Sequence, residues 1–270
     1  MSFKIGVGQM NSRDDKAANL TMAEKLIDKL AERGARLIML PEYFLFLGDM
    51  PDIARNAEPA DGPSLDRIRE KAVSHKVYIH CGSFPEKNGG KTYNTSVVFN
   101  PDGFIVAVYR KIHLFDVELP NGNVYRESDT FTPGSRLVTF QIDGITFGMS
   151  ICYDLRFPEL YRQLNKQGAQ VLLVPAAFTL ETGRDHWELL LRTRAVDNLC
   201  WVVAAGQWGP HPPHKTCYGR SLVVNPWGLV VAKATDGISH LTAEIDVDMI
   251  AELKATFPVV DHHREDLFRG

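Results

Sequence analysis

A disulfide framework is the first thing this sequence lacks. Its four cysteines, Cys81, Cys152, Cys200 and Cys217, are scattered, with no CxxC pair among them, so free thiols in a reducing compartment are expected. No apolar run approaches the roughly 20 residues of a membrane-spanning helix. Met1-Ser2-Phe3-Lys4 leads straight into a strand pattern instead of a secretory signal. An excess of one charge is missing too: 30 basic against 33 acidic residues leave a net charge of −3. That gives no electrostatic reason to expect nucleic acid or anionic lipid. Linkers, repeats and low-complexity tracts are absent. The expectation is a cytoplasmic chain with no cofactor, no metal, no nucleic-acid partner and no membrane partner.

What is present suits a globular protein. The 270 residues, 44% hydrophobic and 23% charged, are enough for a sizeable core, and one domain over residues 1–270 is expected. A strand over 3–9 precedes a helix over 16–33, whose Leu20, Ala23, Ile27 and Leu30 share one face. Gly34 caps that helix. The stretch 36–40 carries the continuous apolar run Leu37-Ile38-Met39-Leu40, the mark of a strand covered on both faces, and Pro41 ends it. Further helices are predicted over 64–75, 157–167, 184–199 and 247–256, and strands over 77–84, 171–174, 200–205 and 241–246. Hairpins turn at Pro101-Asp102-Gly103, Asp143-Gly144 and Pro226-Trp227-Gly228. This β-α-β alternation interrupted by hairpins predicts an α/β fold of mixed sheets packed together and covered by helices.

Three polar residues stand at predicted strand ends. Gly148-Met149-Ser150-Ile151-Cys152-Tyr153-Asp154 runs a strand into a thiol, with a helix opening a few residues later. A residue at such a junction projects from the carboxyl edge of a sheet, and the amides after it favour an anion there. Glu42 follows the apolar strand, and Lys111 follows the strand that ends at Arg110. Each has an ordinary alternative: a small buried hydrophobe for the cysteine, a solvated loop charge for the other two. If their strands are neighbours, the three side chains converge.

Leu40-Pro41-Glu42, the run Arg110-Lys111-Ile112-His113-Leu114-Phe115 and the run from Ile151 to Glu159 resemble, in order, three signature motifs of the nitrilase superfamily of carbon–nitrogen hydrolases. The resemblance covers essentially the whole chain. It implies a four-layer α-β-β-α sandwich of two sheets and a homodimer or larger assembly, with the tail from about residue 257 packing across the subunit interface. It also implies a mechanism in which Cys152 attacks a small amide and forms a thioester. Glu42 is then the general base, and Lys111 with the backbone N–H of Tyr153 holds the oxyanion. Glu127 matches a second glutamate of many members, positioning Lys111 or the substrate amide.

Within the superfamily the chain looks most like the deaminated-glutathione amidases and ω-amidases, which both cleave a γ-amide of 2-oxoglutarate. Ala177-Phe178-Thr179 and Tyr218-Gly219-Arg220-Ser221 lean towards the former, and Val196-Asp197-Asn198 towards the latter. Nitrilase or N-carbamoyl amidohydrolase activity are the alternatives within the superfamily. A catalytically idle interaction module is the alternative outside enzymes, against which the intact set of Glu42, Lys111 and Cys152 argues. Arg156, four residues beyond Cys152, suits a substrate carboxylate or a structural pair with Asp154 or Glu159. Tyr218 and Trp208 are candidate pocket residues. His211, His214 and Cys217 match no standard metal spacing, and the prolines between them predict a flexible loop. Cys81 and Cys200 read as core. Asn94-Thr95-Ser96 fits a glycosylation sequon that has no bearing in a cytoplasmic strand.

Overall fold

Three parallel strands form the middle of each of two sheets in the computed structural model, which describes residues 2–120 and 122–267. The first sheet joins β1 (Ser2–Gln9), β2 (Leu37–Met39), β3 (Tyr78–His80), β4 (Phe84–Asn88), β5 (Lys91–Phe99), β6 (Ile105–Arg110) and, from near the other end of the chain, β17 (Ser239–Asp246). Its order is β17-β1-β2-β3-β5-β4, with β6 on the free edge of β5. Strands β1, β2 and β3 are parallel, and the outer pairings are antiparallel. The second sheet repeats the plan with β9 (Thr139–Ile142), β10 (Ile145–Met149), β11 (Val171–Ala176), β12 (Trp201–Gly206), β15 (Leu222–Val224) and β16 (Val230–Lys233). Here β10, β11 and β12 are the parallel core. Two separate hairpins, β7 (Asp116–Glu118) with β8 (Val124–Arg126) and β13 (Trp208–His211) with β14 (Lys215–Tyr218), project from this frame.

Alternation along the strands assigns the layers. Leu37 and Met39 join the core between the sheets, while Ile38 and Leu40 join the core beneath the helices. That is the period of two that a doubly covered strand must show. The outer helices of the first sheet are α1 (Lys16–Glu32) and α3 (Pro63–His75), which bury Leu26, Leu30, Leu65 and Ile68. On the second sheet α4 (Pro158–Lys166) and α6 (Glu188–Asn198) bury Leu160, Leu164 and Leu191. Between the sheets the rings of Phe3 and Phe147 meet at 5.5 Å. The result is the expected α-β-β-α sandwich.

Local chemistry explains the boundaries. Asp15 caps α1 by accepting from the Ala18 amide at 3.0 Å, as an N-cap aspartate should. Asp143 and Gly144 turn β9 into β10 with φ of 50° and 81°, the doubly left-handed conformation of a two-residue hairpin loop. The strand expected over 77–84 is divided into β3 and β4. Gly82 lies between them at φ 52°, and a side chain there would strike the carbonyls of Leu40 and Pro41. That close approach seats the segment carrying Glu42. The helix expected over 184–199 begins as one π-turn, Gly183–Trp187, before α6. A short helix, α2 (Met50–Arg55), was not expected; Asp49 caps it and Pro51 opens it. The flexible loop expected around His211–Cys217 is instead the ordered β13–β14 hairpin. Of the remaining helices, α5 (Leu180–Thr182) is a single turn and α7 (Asp248–Thr256) leads into the tail. Residues 268–270 of that tail lie outside the described residues. No described helix is long and apolar enough to cross a membrane.

Candidate active site

Glu42, Lys111 and Cys152 come from three different strand ends, and the structure brings them together with Glu127. Glu42 lies three residues beyond β2, Lys111 directly after β6, and Cys152 opens a 3₁₀ turn (Cys152–Arg156) shortly after β10. Glu127 opens another 3₁₀ turn after β8. All four are buried, and the thiol is the most accessible of them at 8%. The Lys111 ammonium donates to Glu42 Oε1 at 3.0 Å and to the two oxygens of Glu127 at 3.0 and 2.8 Å. The second oxygen of Glu42 accepts from the Ala177 amide at 2.7 Å.

Other donors hold the two carboxylates that share one ammonium. Asn94 Nδ2 bridges them, 2.9 Å from Glu42 and 3.1 Å from Glu127. Glu127 also accepts from the Tyr43 hydroxyl and the Phe115 amide, each at 2.7 Å. Buried carboxylates need such partners, because an unpaired charge in the interior is very costly. In the sequence Asn94 stands out only as part of a sequon, and no motif marks Tyr43 as a site residue. The one signal available was that both are polar residues set close to strand ends or in a strand of the core.

Asp154 performs a second buried task. Its carboxylate accepts from the Ile151 amide at 2.9 Å, the Tyr109 hydroxyl at 2.6 Å, the His113 amide at 3.0 Å and His113 Nδ1 at 2.7 Å. Tyr109 and His113 flank Lys111, and Ile151 precedes Cys152, so one carboxylate ties the lysine strand to the cysteine turn. Cys152 itself has φ 47°, and Tyr43, next to Glu42, has φ 56°. Left-handed backbone at non-glycine residues costs about 1–3 kcal/mol each and persists only where the surroundings impose it.

Electrostatics follow from burial and charge. Burial pushes the Cys152 thiol well above its ordinary range; Glu42 raises it further, and Lys111 partly opposes this. The resting group is therefore a thiol, with Glu42 among the groups that hold it protonated. For Lys111, burial favours the neutral amine, but Glu127 and Glu42 outweigh it and hold the ammonium well above the usual lysine range. Burial acts on Glu127 in the opposite sense, and Lys111 with its hydrogen bonds keeps the carboxylate ionised below the ordinary value.

Two cavities meet at the thiol. The larger, about 550 Å³, is lined by Glu42, Lys111, Glu127 and Cys152 together with Tyr125 and Lys215. The smaller, about 240 Å³, adds Tyr153, Arg156 and Phe178 to Cys152. Arg156 lies against the rings of Phe178 and Tyr153 at 5.3 and 5.9 Å, with His186 Nδ1 3.4 Å from its guanidinium; Asp154 is engaged elsewhere. Tyr218 packs on Gly183, where an added methyl would strike it, and lines neither cavity. Trp208 likewise packs on Gly219. Cys81 and Cys200 are core residues, as expected. Among the described residues no group of three or more His, Cys, Asp or Glu side chains is arranged to hold a metal ion.

A two-sheet sandwich with a thiol, a carboxylate and an ammonium converging at its strand ends defines the class of cysteine-dependent hydrolases of carbon–nitrogen bonds. The chain belongs to the carbon–nitrogen hydrolase family, whose profile matches residues 4–255. It is 40% identical over 259 residues to a deaminated glutathione amidase of Synechocystis, covering 94% of this chain and 95% of that protein. It is 39% identical over 267 residues to human omega-amidase NIT2, covering 99% and 97%. Among solved structures, Saccharomyces cerevisiae Nit3, a member of branch 10 of the nitrilase superfamily, superposes with a TM-score of 0.87 at 32% identity over 97% of each chain. The chain is thus an amidase, a hydrolase of non-peptide carbon–nitrogen bonds acting on a small molecule.

Proposed function

We propose that the enzyme hydrolyses a γ-amide of 2-oxoglutarate, converting deaminated glutathione to 2-oxoglutarate and cysteinylglycine through a thioester on Cys152. The observation that carries this reading is the Lys111 ammonium fixed between two buried glutamates beside the thiol. Glu42 takes the thiol proton as the sulfur attacks the amide carbon. The oxygen that becomes negative is met by Lys111 and by the Tyr153 amide. That amide belongs to the first turn of a short helix, where amides have no carbonyl of the helix to bond. Collapse of the tetrahedral intermediate breaks the C–N bond, and Glu42 returns the proton to the departing nitrogen. It then removes a proton from the water that cleaves the thioester, restoring the thiol. Glu127 holds Lys111 in place, and Arg156 meets the carboxylate of the acyl half.

The choice of substrate rests on relatives and on Arg156. Measured on one preparation, kcat/KM should be higher for deaminated glutathione than for 2-oxoglutaramate, and far higher than for a simple nitrile or an N-carbamoyl amino acid. A lead for either of the last two refutes the branch assignment. A lead for 2-oxoglutaramate favours the second reading, an ω-amidase, which the similarity to human omega-amidase NIT2 supports.

We place the protein in the cytoplasm, where its four buried thiols stay reduced. Trp227, Leu229, Val231 and Phe257 stay exposed at about half their area or more, and the rings of Trp227 and Phe257 lie 6.1 Å apart. Such an apolar surface supports a homodimer with the tail from about residue 257 crossing the interface. Sedimentation equilibrium should return twice the chain mass or a multiple of it, and Trp227→Asp should shift the population towards monomer.

A further inference from the structure

Besides Lys111, each of the two cavities at Cys152 carries a cation on its wall, and the one in the larger cavity, Lys215, has no role in the chemistry described so far. Lys215 begins β14, and its side chain is half-buried. Its Nζ stands 4.3 Å from the centroid of the Tyr125 ring, which lines the same cavity. Among the described residues this ammonium makes no ion pair and donates no side-chain hydrogen bond. Burial draws its pKa below the ordinary lysine range, and only Cys217 and Asp49 pull the other way, neither within ion-pair distance. Lys111, the other ammonium on this wall, is held by three carboxylate oxygens and committed to the reacting centre. A carboxylate entering the larger cavity beyond the reacting centre therefore meets one ammonium that no carboxylate already holds.

The two cavities also differ in which half of an amide they suit. Glu42 lines the larger and is absent from the smaller; Tyr153 and Arg156 line the smaller and are absent from the larger. A group that delivers a proton to the leaving nitrogen must lie on the leaving side of the carbonyl. The leaving amine thus projects into the larger space, about 550 Å³ against about 240 Å³, and the acyl half lies along Arg156.

We propose that Lys215 binds a carboxylate carried by the leaving amine, so that the preferred amides are those with one carboxylate on each side of the scissile bond. This deepens the proposed function and rests on it through the acid–base role of Glu42. Lys215 is a specificity residue: it reads the far end of the leaving group, four or more bonds from the reacting carbon, and a substrate without that carboxylate forgoes the contact.

The test pairs wild type with Lys215→Met, which keeps the aliphatic stem over Tyr125 and removes the charge. Two amides share the 2-oxoglutaryl acyl half, one releasing cysteinylglycine and the other its C-terminal amide. In the wild type the free acid should have a kcat/KM roughly 10–100-fold above the capped form, chiefly through KM. In Lys215→Met that ratio should fall to near one. A second readout needs no turnover: the rates at which bromoacetylglycine and bromoacetylglycinamide alkylate Cys152. The acid should label wild type roughly tenfold faster, and the preference should vanish in Lys215→Met. Equal labelling by the two reagents in wild type, or a preference that survives the substitution, overturns the proposal. So does a variant that loses discrimination for the acyl-side carboxylate instead. If labelling depends on Lys215 while neither amide is hydrolysed, the lysine is correctly read and the 2-oxoglutarate amide is the wrong substrate.

Discussion

Cys152→Ser should fold like the wild type and lose roughly 10³–10⁶-fold in kcat. The substitution changes one atom, so the cavity, the left-handed turn and the Asp154 tie are all retained. What changes is acidity. A buried hydroxyl is far harder to ionise than a thiol, and Glu42 has no strong base behind it to draw the proton away. Thermal unfolding of the variant should match wild type, which separates lost chemistry from lost fold. Acid-quenched wild type should show the mass of an acyl group on Cys152 alone. Cys217 is the internal control, because it lines the same cavity but makes no hydrogen bond to a base. Burial also pushes Cys200 up to about 12, and raises Cys81 and Cys217. An adduct on any of those three, or a serine variant of undiminished activity, would remove Cys152 from its role.

Glu42→Gln should cost roughly 10²–10⁴-fold in kcat with a much smaller effect on KM. Glutamine keeps the shape but cannot accept the thiol proton, return it to the nitrogen or activate water, so each proton transfer is lost at once. It also leaves a geometric conflict. Glu42 Oε1 accepts from Lys111 and Asn94 while Oε2 accepts from the Ala177 amide; an amide can satisfy only one of these sides and turns its NH₂ towards donors on the other. A modest fall in melting temperature should accompany the kinetic loss. In the proposed mechanism Glu42 and Lys111 act on the same developing charges, so the double variant with Lys111→Ala should be little worse than either single one. More than a few per cent of wild-type kcat in Glu42→Gln would mean that another group is the base.

The residues legible from sequence were those whose position followed a local rule. Glu42, Lys111 and Cys152 each interrupt an apolar strand pattern at its end, and strand ends at the carboxyl edge of a sheet are where side chains leave the core. The hairpin at Asp143-Gly144 was legible because two left-handed residues between apolar runs have one favoured geometry. Glu127 came only from resemblance, since nothing around it in the chain marks it as buried. Asn94, Tyr43 and the Ala177 amide escaped altogether, as did the tie through Asp154. Asn94 meets Glu42 across 52 positions, and Ala177 does so across 135.

By itself, then, the amino-acid order determined the layers: periodicity of two and of 3.6 reports which face of each element is apolar, and apolar faces must pack. Tertiary structure alone decided which polar groups meet. Buried carboxylates demand donors, but any nearby amide, hydroxyl or ammonium meets that demand, so the pattern of one segment cannot say which distant segment supplies it. The same holds for Lys215. A lysine in a proline-flanked stretch reads as solvated, and only the pairing of β13 with β14 turns it over Tyr125 into the cavity of the thiol. Long-range pairing sets that placement, and no local periodicity encodes it.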